Sequence, residues 1–147
     1  MRLWHYSLIP FLPRQQLIAQ WRECCAIAKN WATKGTPNHI LVNKVMNYSA
    51  NEFGAYTEIV LLELKARGYK TTSAARDNFY HNLSLINSEK MSCNEALFSG
   101  WHDFFYLRQC LYNLEEKAQC GGMTKEEWSK IYNEFSPIVD LISPNSL

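Results

Sequence analysis

The residues best suited to chemistry lie within the first 23 positions of the chain. Met1 carries an α-amine, Arg2 follows it, and Arg22 and Glu23 lie side by side in a segment with a helical pattern. A primary amine with a neighbouring carboxylate is the minimum equipment for Schiff-base chemistry on a sugar aldehyde. The sequence therefore indicates this chemistry if the fold brings Met1 and Glu23 together.

An α-amine is a better nucleophile near neutral pH than the amine of a lysine. α-Amino groups titrate at about 7.7–8.0, whereas lysines titrate at about 10.4. At pH 7.5 roughly a third of α-amines are neutral, against roughly one in a thousand lysines. Because the neutral form carries the reactive electron pair, this favours the amino terminus as the nucleophile.

Composition bounds the class of protein. The chain has 147 residues and is 47% hydrophobic and 14% aromatic, which predicts one packed domain over residues 1–147. Its apolar runs are short and its start lacks a continuous apolar region, so we expect neither a membrane span nor a signal peptide. Five cysteines without a C-x-x-C pair predict reduced thiols and a cytoplasmic protein.

Charge is distributed unevenly along the chain. Residues 1–34 carry five Lys or Arg against one Glu, whereas residues 71–147 carry six against ten acidic residues. The first part therefore has a net charge of +4 and the last part a net charge of −4, while the whole chain has a net charge of +1. A basic amino-terminal part suits an anionic ligand, although imbalances of this size also occur without one.

Helical patterns dominate, and we predict an all-α, compact single-domain helical bundle with an extended amino-terminal segment packed at the active site. Predicted helices or helical segments cover 13–30, 39–48, 49–68 and 101–119, and a last one starts at 124 and ends before Pro137. Capping boxes at 49–52, 92–95 and 124–127 indicate helix starts, and glycines at 68 and 121–122 indicate ends. Residues 71–91 are less periodic, which predicts turns mixed with short helix.

The first predicted helix has two different faces. One face is an apolar stripe of Leu17, Trp21, Cys24 and Ala28. The opposite face carries Gln15, Gln16, Ala19, Arg22, Glu23 and Ala26. The two alanines leave room for a ligand beside the charged pair, but the same pattern is typical of the solvated face of an ordinary amphipathic helix.

Several segments resemble one known family. Residues 15–23, QQLIAQWRE, resemble the first helix of the pyrimidine-dimer DNA glycosylases of the endonuclease V type. The opening MRLWH and the segment LIPFLPRQQL resemble a bacterial branch of that family. Residues 61–69, LLELKARGY, are similar to the family's mid-chain helix, and residues 128–132, WSKIY, loosely resemble its aromatic carboxy-terminal segment.

The resemblance implies an all-helical DNA repair enzyme. Family members cut the N-glycosidic bond beside a cyclobutane pyrimidine dimer and then nick the strand at the abasic sugar. The nucleophile is the amino-terminal α-amine and a helix glutamate is essential, so these catalytic roles fall on Met1 and Glu23. The expected DNA-binding residues are Arg2, Arg22, Gln15 and Gln16. The implied partner is damaged double-stranded DNA, bound by a monomer without a cofactor.

The chain departs from the family pattern at three points. Members commonly expose a small second residue after Met removal, whereas Arg2 here leads us to expect that Met1 is retained and its own amine attacks. Ala26 replaces a family arginine, and the chain is less basic than the phage members. These departures keep two alternatives open. One is a helical domain that binds DNA or protein without chemistry, and the other is a lyase for abasic sites or other damaged pyrimidines.

The histidines and one tryptophan admit more than one interpretation. His5, His39, His81 and His102 show no metal-ligand spacing, so we expect no metal site. His5 and His39 either line the site or serve in packing. Trp128 either contacts DNA or belongs to the core.

Overall fold

A computed structural model describes residues 1–87 and 96–142 as helices and connecting turns, with no strand in these ranges. The α-helices of these ranges are α1 (Arg14–Lys34), α2 (Ala50–Ala66), α3 (Ser73–Leu85), α4 (Phe104–Gln119) and α5 (Lys125–Ile142). Short 3₁₀ helices, Tyr6–Phe11 and Asn43–Asn47, precede α1 and α2. α1 packs against α2 and α3, and α4 packs against α5. The predicted all-α class is confirmed, while the single domain over residues 1–147 stays a prediction.

The apolar stripe predicted for α1 is confirmed, and the helix is longer than predicted. Leu17 and Cys24 are fully buried, and Trp21 and Ala28 are also buried. Burial of Trp31 continues the stripe, and the helix extends four residues beyond the predicted end at residue 30, to Lys34. The helix stops where Gly35 adopts φ of +75°, a left-handed conformation that glycine enters without a Cβ penalty.

α2 begins and ends as the sequence predicts. The Ser49 hydroxyl accepts the Glu52 N–H at 3.0 Å, which is the capping contact expected from the box at 49–52. Gly68, with φ of +79°, follows the last turn. Phe53, Tyr56, Val60 and Leu64 form the buried face of this helix. The helical segment expected over 39–48 is a short 3₁₀ helix.

The prediction for residues 71–91 is wrong over the part that the structure describes, because α3 is a regular helix of 13 residues. Its start is capped by the Thr72 hydroxyl, which accepts the Ala75 N–H at 3.1 Å. Phe79 is its one fully enclosed side chain. A helix that buries so little has no apolar stripe for a periodicity search to detect. The capping box at 92–95 lies outside the described residues.

The boundaries of the last two helices differ from the predicted ones. α4 begins at Phe104 rather than 101, because the Asp103 side chain caps it by accepting the Tyr106 N–H at 2.9 Å. α5 does not end before Pro137. Its backbone leaves helical geometry at Phe135 (φ −116°, ψ 16°) and continues as helix to residue 142. A proline inside a helix removes one hydrogen bond and clashes with the preceding turn. In α5 this disturbance kinks the helix and does not end it.

The amino-terminal segment is part of the core. Leu3, Leu8 and Ile9 are completely buried. Residues 1–5 have no regular secondary structure, and the proline-containing stretch after them is the first 3₁₀ helix. The first five residues are therefore held in place by side chains, and those side chains define the candidate site.

None of the helices described is long and apolar enough to cross a membrane.

Candidate active site

A buried glutamine of α1 holds the backbone of residues 2–4. Gln20 is 0% exposed. Its Nε2 donates to the Arg2 carbonyl at 2.8 Å, and its Oε1 accepts the Trp4 N–H at 2.8 Å. The Tyr56 hydroxyl of α2 donates to the Trp4 carbonyl at 2.5 Å and lies 3.0 Å from Gln20 Oε1. These contacts satisfy backbone groups that have no helical or strand partner.

A tyrosine of α4 completes this attachment from the other side. The Tyr106 hydroxyl donates to the Leu3 carbonyl at 2.6 Å. Burial raises the pKa of Tyr106 well above its usual value, so the hydroxyl keeps the proton that it donates. The Arg2 guanidinium lies 5.6 Å from the ring centre of Trp4 and 5.9 Å from that of Tyr106. Both distances are within cation–π range, so the Arg2 side chain also has a fixed place.

Glu23 receives the amino end of this segment. Its Oε2 accepts the Arg2 N–H at 3.4 Å and the Gln20 amide at 3.2 Å. Glu23 is half-buried, whereas Met1 is 40% exposed. The α-amine therefore belongs to the residue that precedes the one whose N–H contacts the carboxylate, and that residue is partly exposed to solvent. The structure brings the Arg2 backbone to Glu23, and no ion pair within 4 Å joins the Met1 α-amine to a carboxylate of the described residues. The catalytic roles of Met1 and Glu23 remain predictions.

The other predicted site residues share a face of α1, and among the described residues none of them is hydrogen-bonded to Glu23. Gln15 and Gln16 precede Arg22 and Glu23 by seven residues, which is two helical turns or about 10 Å. Arg22 and Gln15 are exposed, and Gln16 is half-buried with an enclosed Oε1 that has no partner within the described residues. Their roles in binding remain predictions.

Three residues that position the amino terminus were not identified from the sequence: Gln20, Tyr56 and Tyr106. Gln20 could have been found, because it is a polar residue beside the apolar stripe of α1, and a buried amide must be hydrogen-bonded. Tyr56 lies in the core, and no sequence pattern predicts the partner of its hydroxyl. Tyr106 lies 103 residues from Leu3, and no local pattern predicts such a contact.

Replacing Gln20 with leucine is expected to destabilise the protein by about 2–4 kcal/mol, because the Arg2 carbonyl and the Trp4 N–H would lose their buried partners. The measurement is the free energy of unfolding from urea titration. The matched control is Gln15→Leu on the exposed face of the same helix, for which a change below about 0.5 kcal/mol is expected. Equal stability of the two variants would contradict the positioning role of Gln20.

The two buried histidines serve the core rather than the candidate site. His5 Nε2 lies 3.1 Å from the His102 carbonyl, and His102 Nδ1 accepts the Tyr6 N–H at 3.2 Å. His39 closes a turn, since its Nδ1 accepts the Leu41 N–H at 3.3 Å. Over the described ranges, no group of three His, Cys, Asp or Glu side chains could hold a metal ion.

Burial makes His102 a determinant of stability in acid. Desolvation, with a contribution from His5, lowers its pKa to about 2 in the folded protein. Between that value and its ordinary pKa of about 6.5, only the unfolded chain binds the proton, so the free energy of unfolding decreases as the pH falls. We expect a loss of about 2 kcal/mol between pH 7 and pH 5 from this residue. Urea titrations of the unmodified protein and His102→Asn at both pH values measure it, and equal losses would contradict it.

Aromatic side chains of α4 and α5 lie at the surface or against the core. Phe104 and Phe105, which precede Tyr106, are 50% and 67% exposed. The Arg108 guanidinium lies 5.6 Å from the Phe105 ring centre. Trp128 is half-buried and packs against the core, which fits the second interpretation of that residue.

The described residues form an all-α protein in which the backbone beside the amino terminus is hydrogen-bonded to a carboxylate of α1. The sequence profile of the family described as pyrimidine dimer DNA glycosylase matches residues 1–77, just over half of the chain. The chain belongs to this family. The match includes the amino-terminal segment, α1 and α2, but not Tyr106 or His102. Neither the curated proteins nor the solved structures that were compared gave a match.

Proposed function

We propose that this protein is a DNA glycosylase for UV-induced pyrimidine dimers that also cleaves the strand at the resulting abasic site. In this proposal the α-amine of Met1 forms a Schiff base with the sugar and Glu23 moves the protons. The observation that carries it is the hydrogen bond from the Arg2 N–H to Glu23 Oε2. Family membership supplies the substrate class.

The first chemical step is displacement of the base by the amine. The target nucleotide, or its partner base, must leave the stack, because the sugar carbon is hidden inside a duplex. The Met1 nitrogen then forms a bond to C1′, the glycosidic bond breaks, and the base leaves with the proton that the amine loses. Opening of the sugar ring then breaks the C1′–O4′ bond, O4′ takes a proton from the solvent, and the nitrogen electron pair forms a C=N bond. The Glu23 carboxylate stabilises the positive charge on this bond.

The second step cleaves the DNA strand. Glu23 removes a proton from C2′, and the electrons of that C–H bond shift toward the C=N bond. Elimination then breaks the C3′–O bond, and the 3′ phosphate leaves. Water hydrolyses the remaining Schiff base and frees the amine. The half-buried position of Glu23 suits this role, since the carboxylate is held by two donors and still faces the surface.

The charge of the surrounding surface supports binding to DNA. Residues 1–34 have a net charge of +4, and exposed Arg22 lies beside Glu23 on α1. We assign phosphate or base contacts to Arg2, Arg22, Gln15 and Gln16. Because the whole chain has a net charge of only +1, its long-range attraction to the phosphate backbone is weak, and the affinity for undamaged duplex should be low. We further expect a cytoplasmic monomer.

Borohydride trapping tests the proposal. The protein is incubated with abasic and UV-irradiated duplexes, and borohydride reduces any Schiff base to a stable amine that joins protein and DNA. We expect an adduct with both substrates. An adduct with abasic DNA alone would instead assign a lyase with a different lesion preference. No adduct with either duplex would contradict an enzymatic role and favour a binding domain, the alternative suggested by Ala26 and the low net charge.

A further inference from the structure

A groove lies on the outer face of α2, beside the start of α3, on the side of α2 away from the candidate active site. Its volume is about 560 Å³, within the range of small-molecule sites. Lys65 lines it and follows Tyr56 by nine residues, which places the two on opposite sides of the helix. Because Tyr56 holds the amino-terminal segment from the core side, the groove is separate from the candidate active site.

The walls of the groove present apolar and aromatic surface to solvent. Leu62 is 65% exposed and Tyr80 is 40% exposed, while Leu61 and Tyr69 are half-buried. The Arg14 guanidinium lies 5.4 Å from the ring centre of Tyr69 and so contacts that ring from outside the groove lining. The two tyrosines offer flat rings against which another flat ring can stack.

Three cations surround this surface: Lys65, Lys70 and Arg76. None of them forms an ion pair within 4 Å with a carboxylate of the described residues, where the Arg67–Glu63 pair is the one present. Arg76 is fixed by its hydrogen bonds to the carbonyl and hydroxyl of Thr71. The one acidic lining residue, Glu58, accepts a long hydrogen bond from the Tyr80 hydroxyl at 3.4 Å. The lining therefore has a net charge of +2, from three cations and one carboxylate.

Cations beside exposed aromatic rings are the means by which proteins bind single-stranded nucleic acid, with phosphates on the cations and bases on the rings. An acidic peptide would use the cations but would leave the tyrosine rings without a stacking partner. We propose that this groove binds a segment of single-stranded DNA, with phosphates near Lys65, Lys70 and Arg76 and a base against Tyr80. This binding requires neither a lesion nor chemistry at Glu23, so it stands apart from the proposed function.

The test measures the affinity of undamaged oligothymidylate by fluorescence anisotropy over a range of salt concentrations. The double variant Lys65→Gln/Lys70→Gln is expected to weaken binding about tenfold and to reduce the log–log salt slope by about 0.7 per lysine. The matched control is Lys44→Gln/Lys117→Gln, which removes two exposed lysines elsewhere. Tyr80→Leu keeps the apolar bulk without the ring and should weaken binding about fivefold. Equal affinities of the double variant and its control would overturn the proposal.

Photo-crosslinking locates the strand directly. An oligonucleotide carrying 5-iododeoxyuridine is expected to crosslink to Tyr80 or Tyr69, identified by mass spectrometry. Crosslinks confined to α1 and α4 would overturn the proposal. It would also be overturned if thymidine monophosphate bound as tightly as the oligonucleotide, or if polyglutamate bound and the oligonucleotide did not. The double variant should still form the borohydride adduct with abasic DNA. These experiments therefore distinguish a failure of the proposed binding in the groove from a failure of the proposed chemistry at Met1 and Glu23.

Discussion

The variant Glu23→Gln is expected to bind abasic DNA nearly as well as the unmodified protein but to nick it about 10²–10⁴-fold more slowly. The amide that replaces the carboxylate cannot take the proton from C2′, so elimination loses its base. It also carries no charge to stabilise the iminium ion. The measurement is single-turnover nicking of an abasic duplex, with affinity determined separately by anisotropy.

The fold should survive this change, which makes the result interpretable. Glu23 accepts two hydrogen bonds through Oε2, from the Arg2 N–H and the Gln20 amide. A glutamine carbonyl oxygen in the same place accepts the same bonds, so the amino-terminal segment keeps its attachment. An unchanged free energy of unfolding would verify this. A loss of activity would then reflect the missing base and charge rather than a displaced amine.

Glu116→Gln is the matched control, because Glu116 is an exposed carboxylate on α4 and the change in net charge is the same. Its nicking rate should equal that of the unmodified protein. If Glu23→Gln also nicks at the unmodified rate, another group is the base. If both variants gain affinity equally, the effect comes from overall charge, because each change removes one negative charge that repels DNA.

Local patterns predicted the parts of the fold that depend on local interactions. The stripe of α1 and the capping contact from Ser49 to Glu52 both involve residues within a few turns of each other, and both are confirmed. The sequence supplied the α-amine and Glu23, and their proximity was a condition that the fold had to meet. The reason for that proximity was not predicted, because it depends on Gln20, Tyr56 and Tyr106, which come from three different helices.

The elements predicted wrongly are those in which burial or backbone geometry departs from a simple pattern. α3 fully encloses only Phe79, so its sequence carries almost no helical periodicity. The kink at Phe135 leaves the chain helical beyond Pro137, since burial of Val139 keeps the second half of α5 against the core. A proline indicates where a helix is disturbed, but tertiary packing decides whether the chain resumes the helix.

The identity of the nucleophile can be decided from the adduct itself. Glu23 is the first acidic residue of the chain, and residues 1–23 contain no lysine. A protease that cleaves after glutamate therefore releases an amino-terminal peptide in which the α-amine is the only primary amine. After borohydride reduction, we expect the mass of the sugar fragment on this peptide. Its appearance on a peptide that contains a lysine would refute the assignment to Met1.

Adding one glycine before Met1 is expected to slow adduct formation about 10²-fold or more. The extension moves the amine by up to about 3.8 Å from its place beside Glu23, and a misplacement of about 1 Å already has a large cost in such reactions. The attachment of residues 2–4 by Gln20, Tyr56 and Tyr106 prevents the chain from sliding to compensate. A chain with serine in place of Met1 is the control, because its amine keeps its position and should react at nearly the unmodified rate. If the extended chain reacts as fast as this control, the fixed position of the amine is not what the reaction requires.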